Sequence, residues 1–177
     1  MNKNLIIITG SDGSTAQGLI NYFSNHYQYV IGISRRDIIQ YCNDSIKIYQ
    51  NDMLNLSELR KTINDISEKY GYINAFINCA GGFNMGQQIE DEEDWLSMHS
   101  INFLTCLNGC RAIVPYFKKQ NEGCIINFGS KAAIEGFPLA APYLISKASV
   151  HSLTKLLSIE LIEHNVRCNA ILPGIID

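Results

Sequence analysis

The chain has 177 residues, 46% of them hydrophobic and 18% charged, which predicts one globular domain with a sizeable core. Its net charge of −3 provides no basic surface for nucleic acid, and no apolar run approaches the roughly 20 residues of a membrane span. An apolar run begins at Leu5, so we expect no secretory leader, and the cysteines and histidines show no metal-ligand spacing. We therefore expect a cytoplasmic protein with reduced thiols, no metal and no membrane or nucleic-acid partner.

Strand-like apolar runs alternate with helical patterns along the chain. The runs are mostly continuous, which predicts a parallel sheet covered on both faces. The predicted strands span 5–9, 29–33, 46–50, 73–78, 124–128 and 167–172. Helical patterns begin near Ala16 and cover about 55–69, 93–119 and 142–164. This order predicts a single α/β domain over 1–177, a doubly wound, Rossmann-type sheet of about six strands that binds ligands at the carboxyl ends of its strands.

The stretch TGSDGSTAQG, residues 9–18, lies between the first strand and the first helix. Glycine-rich turns at this position bind phosphate groups in nucleotide-binding folds. After Gly10, however, the glycines fall at Gly13 and Gly18. On its own the stretch therefore does not distinguish a cofactor loop from a connecting turn.

Tyr143 and Lys147 give the strongest chemical signal, because their four-residue spacing places both side chains on one face of a predicted helix. A free tyrosine has a pKa near 10, and a neighbouring ammonium favours the phenolate. The pair can thus serve as a general acid and base. Taken alone, the same spacing also suits a tyrosine at a helix start beside a solvated lysine.

Further polar or glycine-rich segments follow the predicted strands or lie in the long helix. They are Asp52 after the third strand, Asn78–Gly81 after the fourth, Asn102 within the helix, Ser130 after the fifth, and Pro173–Gly174 after the sixth. In this order and at these intervals, the residues resemble the short-chain dehydrogenase/reductase family, in its common Tyr-x-x-x-Lys form. The resemblance runs from the first strand to residue 177.

The resemblance implies a role for each residue of a catalytic group. Tyr143 would exchange a proton with a substrate hydroxyl or carbonyl, and Lys147 would bind the nicotinamide ribose and depress the tyrosine pKa. Ser130 would orient the substrate oxygen, and Asn102 would hold a water that relays protons. The implied cofactor-binding set is Gly10, Ser14, Ala16, Ser34, Arg35, Asp52, Asn78, Ala80, Gly81, Tyr143, Lys147, Pro173 and Gly174.

Several of these residues have a purely structural alternative. Ser130 and Asn78 suit turns, Asp52 suits a helix cap, and Asn102 is compatible with a hydrogen-bonded core position. The glycine loop also departs from the family pattern Thr-Gly-x-x-x-Gly-x-Gly, since Ser14 and Ala16 replace its second and third glycines. These are the smallest replacements available.

The end of the second strand, VIGISRRD, bears on the choice of cofactor. Ser34 occupies the position of the acid that selects NAD, and Arg35 and Arg36 follow it. Arginine suits a phosphate, so the stretch favours NADP(H). Asp37 and Asp12 keep NAD(H) open as the alternative.

We expect an oxidoreductase that interconverts a small-molecule carbonyl and an alcohol. Chains of the family usually continue past Pro173–Gly174, so a seventh strand and a substrate loop are expected to be missing. The alternative is a catalytically silent dinucleotide-binding or interaction protein.

A homodimer is expected through the helices at 93–119 and 142–164. Residues 82–86 and 134–141 are predicted to flank the substrate, where apolar side chains suit a pocket, the core or an interface: Phe83, Met85, Phe137 and Leu139.

Overall fold

The computed structural model describes residues 5–36 and 43–175, and Asp37 lies outside them. Within these residues, six parallel strands form one sheet in the order β3-β2-β1-β4-β5-β6. The strands are β1 Leu5–Thr9, β2 Tyr29–Ser34, β3 Ile46–Gln50, β4 Ile73–Asn78, β5 Gly123–Phe128 and β6 Val166–Ile171. The predicted doubly wound fold is confirmed, and the strand order reverses between β1 and β4.

The helices of the described chain follow the predicted pattern with one interruption. They are α1 Ser14–Phe23, α2 Leu56–Tyr70, α3 Trp95–His99, α4 Thr105–Gln120, α5 Ala132–Glu135 and α6 Ala141–Glu160. The long helix predicted over 93–119 is wrong as a single α-helix, because a π-helical turn, Ser100–Leu104, separates α3 from α4. The helix predicted over 142–164 ends at Glu160, and a 3₁₀ turn, Ile162–His164, follows it. The short α5 had no sequence signal.

The central strands are buried on both faces, which explains their continuous apolar sequence. Alternate side chains of β1 point to opposite faces. Ile7 belongs to the core beneath α2, α4 and α6, whereas Ile6 and Ile8 pack with Ala16 and Ile20 of α1. All five side chains are at most 1% exposed. Each buried isoleucine contributes on the order of 1.5–3 kcal/mol by leaving water, so this layer fixes the sheet that carries the site.

Among residues 5–36 and 43–175, no helix combines the length and apolar character needed to cross a membrane. The same residues contain no group of three or more His, Cys, Asp or Glu side chains placed to hold a metal ion.

Candidate active site

A cleft of about 630 Å³ runs along the carboxyl ends of the strands. The segment after every strand contributes to its lining: Gly10–Ala16 except Ser11, Ser34–Arg36, Asp52–Leu54, Cys79–Phe83, Phe128–Gly129 and Pro173–Gly174. The helices add Ile101, Asn102, Thr105, Tyr143 and Lys147. The cleft therefore lies at the switch point between β1 and β4, where open parallel sheets bind ligands.

The turn after β1 is held close to the end of β4 by main-chain contacts. Gly10 has φ +69°, a left-handed conformation, and its N–H donates to the Ile33 carbonyl at 2.8 Å. A Cβ at Gly10 would lie 2.7 Å from the Cα of Ala80. Thr9 Oγ1 accepts from the N–H groups of Cys79 and Ala80, both at 3.1 Å. Glycine is thus required at position 10 because the two segments touch there.

The N-terminus of α1 opens into the cleft without a side-chain cap. Gly13 is the N-cap residue, and no side chain accepts a hydrogen bond from the first turn. The first N–H groups of a helix have no intrahelical partner and form its positive end, which suits an anion. Ser14 is exposed there, whereas Ala16 is 1% exposed and packs into the core. The two departures from the glycine pattern therefore leave the N–H groups accessible.

The end of β2 contributes two exposed arginines. Ser34 is buried, and its hydroxyl donates to the Arg36 carbonyl at 2.7 Å, which fixes the turn that carries Arg35 and Arg36. Arg36 Nε lies 3.8 Å from Asp12 Oδ2, with 81% of the arginine side chain exposed. An ion pair this exposed contributes little. Both guanidinium groups therefore remain available to a ligand in the cleft.

The segment after β3 is fixed by α4. Asp52 lines the cleft, and its Oδ1 accepts from the Leu54 N–H at 3.0 Å. Asn55 caps α2, because its Oδ1 accepts from the Glu58 N–H at 3.2 Å. Asn108 Nδ2 donates to the Leu54 carbonyl at 3.2 Å. Asp52 thus shapes a turn before the helix and is not its N-cap residue.

The structure does not bring Asn78 to the cleft. Its side chain is buried below the sheet edge, and its Nδ2 donates to Asn127 Oδ1 at 2.8 Å. Asn127 Nδ2 in turn donates to Thr154 Oγ1 at 2.9 Å. A Cβ at Gly109 would lie 2.1 Å from Asn78 Oδ1. Asn78 therefore joins β4 to β5 and α6 inside the core and is not one of the residues that line the cleft, so its contact with a cofactor stays a prediction.

Tyr143 and Lys147 both line the cleft from α6. Lys147 is 6% exposed, and its Nζ donates to the Phe128 carbonyl at 2.8 Å and lies 6.0 Å from the centroid of the Tyr143 ring. Burial lowers the pKa of Lys147 from its usual value. The Tyr143 ring packs edge-on against Phe83, with centroids 4.8 Å apart. The Lys147 ammonium thus has N–H groups left for another acceptor, and it lies beside the Tyr143 ring, whose orientation Phe83 fixes.

Asn102 lies in the π-helical turn and is 1% exposed. Its Nδ2 donates to the Met98 carbonyl at 3.1 Å, and its Oδ1 accepts from the Gly82 N–H at 3.0 Å. A Cβ at Gly81 would lie 2.7 Å from Asn102 Oδ1 and 3.3 Å from Lys147 Nζ. The amide and the ammonium are therefore neighbours across Gly81. Turns of this kind occur often at functional sites.

Ser130 lies beside the cleft, although it is not one of the residues that line it. It is 6% exposed, and its main-chain N–H donates to His151 Nε2 at 3.2 Å. The adjacent Gly129 does line the cleft, and the Lys131 N–H donates to the carbonyl of Pro173 at 3.0 Å. Pro173 and Gly174 are thus held next to the predicted catalytic group.

Sequence reasoning missed several residues that build the site. Thr9 ties two loops together, Asn108 anchors the segment after β3, and His151 bonds Ser130. His151 had one available signal, since it stands four residues after Lys147 and shares its helix face. Thr9 and Asn108 act through contacts between residues more than 50 positions apart, which no local pattern displays.

The fold and the site define a Rossmann-type α/β protein with a Tyr–Lys pair at the switch point of its sheet. The chain belongs to the short-chain dehydrogenase family, whose family model matches residues 4–177. It is thus an oxidoreductase of the short-chain dehydrogenase type.

Relatives and solved structures agree with this assignment. An uncharacterized oxidoreductase of Staphylococcus epidermidis is 26% identical, over 100% of this chain and 80% of the relative. A 3-oxoacyl-acyl-carrier-protein reductase of Thermotoga maritima is 32% identical, over 73% of this chain and 53% of the relative. ElxO with NADP bound has a TM-score of 0.92 and 26% identity, over 99% of this chain and 75% of that one. A Burkholderia cenocepacia short chain dehydrogenase in complex with NADP has a TM-score of 0.88 and 27% identity, over 99% and 74%.

Proposed function

We propose that the protein is an NADP(H)-dependent oxidoreductase that interconverts a carbonyl and an alcohol, with Tyr143 as the general acid and base. One observation carries the proposal: the buried Lys147 ammonium lies 6.0 Å from the Tyr143 ring in the same cleft as the uncapped N-terminus of α1. An anion site and a proton-transfer pair thus occupy two ends of one cavity. No observation favours the alternative of a catalytically silent protein.

The cleft suits a dinucleotide. The N–H groups at the start of α1 would hold the pyrophosphate, and Gly10 lets the turn after β1 approach the backbone of Ala80 at the edge of the cleft. Asp52 and Leu54 would line the adenine side, and Pro173 the nicotinamide side. When bound, the nicotinamide would supply the hydride for reduction of the carbonyl and accept it in oxidation of the alcohol, a chemistry for which protein side chains have no group.

The residues of this chain would handle the proton. In the reductive direction Tyr143 gives its hydroxyl proton to the carbonyl oxygen, and in the oxidative direction it takes the proton from the alcohol. Lys147 stabilises the resulting phenolate by its charge, and Asn102, which lies next to Lys147, would hold a water that relays protons. Ser130 orients the substrate oxygen. Proton transfer of this kind contributes about 10²–10⁴ in rate.

The test is NADPH oxidation against a panel of carbonyl compounds, with Tyr143→Phe as the matched variant. Phenylalanine keeps the ring that packs on Phe83 and removes only the hydroxyl. We expect turnover to fall by about a hundredfold or more, with NADPH binding retained. Turnover that survives Tyr143→Phe would overturn the mechanism, and NADPH binding without turnover on any carbonyl would overturn the activity.

NADP(H) is proposed over NAD(H) because Ser34 leaves no carboxylate at the end of β2 and two exposed arginines follow it. Arg35→Ala should weaken NADPH binding by about tenfold, the loss of roughly one charge-assisted hydrogen bond, and leave NADH binding nearly unchanged. Fluorescence titration of both cofactors measures the difference. Equal affinity of the wild-type protein for NADPH and NADH would contradict this preference.

Apolar groups flank the reacting end of the cleft, so we propose a small apolar carbonyl or alcohol as substrate. Phe83 lines the cleft, and Met85 and Leu139 are nearly half exposed nearby in the chain. The Gly86 N–H donates to the Leu139 carbonyl at 2.8 Å, which joins the two segments. In the panel, kcat/KM should therefore rise with the apolar size of the carbonyl substituents and fall for charged ones.

We also propose a homodimer through the faces of α3 and α6. Large apolar side chains are exposed on these helices, namely Leu96, Ile145, Leu156 and Ile159. Such a patch is typical of a protein–protein interface. Size-exclusion chromatography with light scattering should give twice the mass of 19.9 kDa, and Ile159→Glu should give the monomer. A wild-type monomer would refute the dimer.

A further inference from the structure

His151 is a side chain that the proposed mechanism does not use. It follows Tyr143 and Lys147 on α6 at spacings of eight and four residues, so it continues their face of the helix. Its Nε2 accepts a hydrogen bond from the main-chain N–H of Ser130 at 3.2 Å. A side chain of α6 thus holds the backbone of the segment that follows β5.

The main-chain N–H groups of the two residues next to Ser130 are also hydrogen-bonded. The N–H of Gly129 donates to the Ile171 carbonyl at 2.9 Å, and the N–H of Lys131 donates to the Pro173 carbonyl at 3.0 Å. The end of β6 and the residues that follow it therefore satisfy the N–H groups on either side of Ser130, and the imidazole satisfies the one between them. This middle bond is the one that a side-chain substitution can remove.

The imidazole is also closely packed. A Cβ at Gly129 would lie 2.3 Å from His151 Nε2 and 2.6 Å from Leu172 Cδ2. The ring therefore occupies the space that the missing side chain of Gly129 leaves, between β5 and the end of β6. Its position is set by contacts on two sides, so its nitrogen is a fixed acceptor.

We infer that His151 is a positioning residue that holds the Ser130 main chain and thereby directs the Ser130 hydroxyl at the substrate oxygen. The inference rests on the proposed function, in which Ser130 orients that oxygen. The bond requires a neutral imidazole whose proton is on Nδ1, because a protonated Nε2 has no lone pair with which to accept the Ser130 N–H. A misplaced Ser130 would reduce kcat more than it changes cofactor binding.

Burial and the neighbouring charges both favour the neutral form of His151. Burial, followed by the charges of Lys147 and Lys155, lowers its pKa below the usual 6.5. The two lysines stand on its own helix, and the neighbouring segments of the described chain place Gly129, Ser130 and Leu172 against it, which carry no titrating groups. The bond is thus present above this lowered pKa and lost as the pH falls through it.

Two substitutions at His151 distinguish the effect of its hydrogen-bond acceptor from the effect of the packing of its ring. In His151→Gln the amide oxygen can reach the place of Nε2 and accept the same N–H, whereas His151→Leu keeps an apolar volume without an acceptor. We expect His151→Leu to lower kcat by about tenfold to a hundredfold, with NADPH affinity unchanged, and His151→Gln to restore most of the loss. Equal activity of His151→Leu and the wild-type protein would overturn the inference. Loss in both variants, with both folded and NADPH-binding, would overturn the acceptor role.

Two further measurements test the inference: the exchange rate of the Ser130 amide and the pH dependence of turnover. The Ser130 amide should exchange with deuterium faster in His151→Leu than in the wild-type protein or His151→Gln, measured by NMR on the cofactor-free protein. The turnover rate of the wild-type protein should fall at acidic pH, as His151 becomes protonated. Lys155→Gln should move this fall to higher pH, because the Lys155 charge lowers the His151 pKa. The fall should be absent in His151→Gln. An unchanged Ser130 amide in His151→Leu would contradict the inference. An inactive wild-type protein would instead refute the proposed function.

Discussion

The two ends of the cleft are built from different parts of the chain. At the proposed nucleotide end the groups that would contact the cofactor belong mainly to the main chain, at Gly10 and in the first turn of α1, and the arginine side chains there are exposed. At the reacting end the contacts belong to buried side chains, of which Lys147 is 6% exposed and Asn102 1%. A main-chain site tolerates changes of side chain, whereas a buried polar side chain is bound to specific partners. Side-chain substitutions should therefore cost less at the first end than at the second.

The largest effect should come from Lys147→Met at the reacting end. Methionine fills the same buried channel, but it removes the charge beside Tyr143 and the bond to the Phe128 carbonyl. We expect turnover to fall by about a hundredfold or more, measured by NADPH oxidation. Lys155→Met is the matched control, since Lys155 is an exposed lysine of the same helix. Comparable losses in the two variants would show that the position of Lys147 beside Tyr143 is not what turnover requires.

A smaller loss is expected when the main chain of the nucleotide end is disturbed. Gly10→Ala adds a Cβ 2.7 Å from the Cα of Ala80 at a residue with φ +69°. We expect it to lower the free energy of unfolding by about 1–3 kcal/mol and to weaken NADPH binding. Urea unfolding measures the first and fluorescence titration the second.

Gly18→Ala in α1 serves as its control. A Cβ at Gly18 has nothing within 4 Å, and the residue lies inside a helix. The change should raise the free energy of unfolding by about 0.5–1 kcal/mol because alanine favours the helix more than glycine does. A Gly10→Ala protein as stable as Gly18→Ala would contradict the close contact between the two loops.

The sequence predicted the fold because the central strands are apolar on both faces and the helices keep regular spacing. It predicted the Tyr–Lys pair because both residues lie on one helix. The position of Asn78 outside the cleft lining has a physical reason. As the last residue of β4, Asn78 points to the same face as Phe76, which lies in the core beneath α4 and α6. The alternation of side chains along β4 could therefore have predicted that the Asn78 side chain points into the core.

The interruption of the long helix had no local signal. The apolar spacing continues through residues 100–104, and the π-helical turn accompanies the bonds of Asn102 to Gly82 and Met98. The bond between Ser130 and His151 likewise joins residues 21 positions apart. Such features depend on tertiary contacts, and they concentrate at the reacting end, where side chains instead of main chain form the site.

A third prediction concerns the charges at the proposed nucleotide end of the cleft. Asp12 Oδ2 lies 3.8 Å from Arg36 Nε, and both residues line the cleft. Asp12→Asn removes a negative charge near the proposed phosphate site and releases Arg36. We expect NADPH to bind about twofold to fivefold more tightly, since an exposed pair contributes about 0.2–1 kcal/mol. The gain should shrink as salt is raised, because salt screens exposed charges. A loss of affinity would show that Asp12 itself supports the bound cofactor.

The smallest effect should come from Ser14→Gly, which restores the family's glycine at the start of α1. Ser14 is exposed, and its hydroxyl makes no hydrogen bond within the described chain. If the N–H groups of the helix hold the phosphate, removing the hydroxyl should change NADPH affinity by less than about threefold. Fluorescence titration measures it, beside a Thr15→Ala control in the same turn. A tenfold loss would make the hydroxyl a phosphate ligand, and a tenfold gain would show that the serine obstructs the pyrophosphate. Either result would mean that the phosphate site at the start of α1 also depends on a side chain.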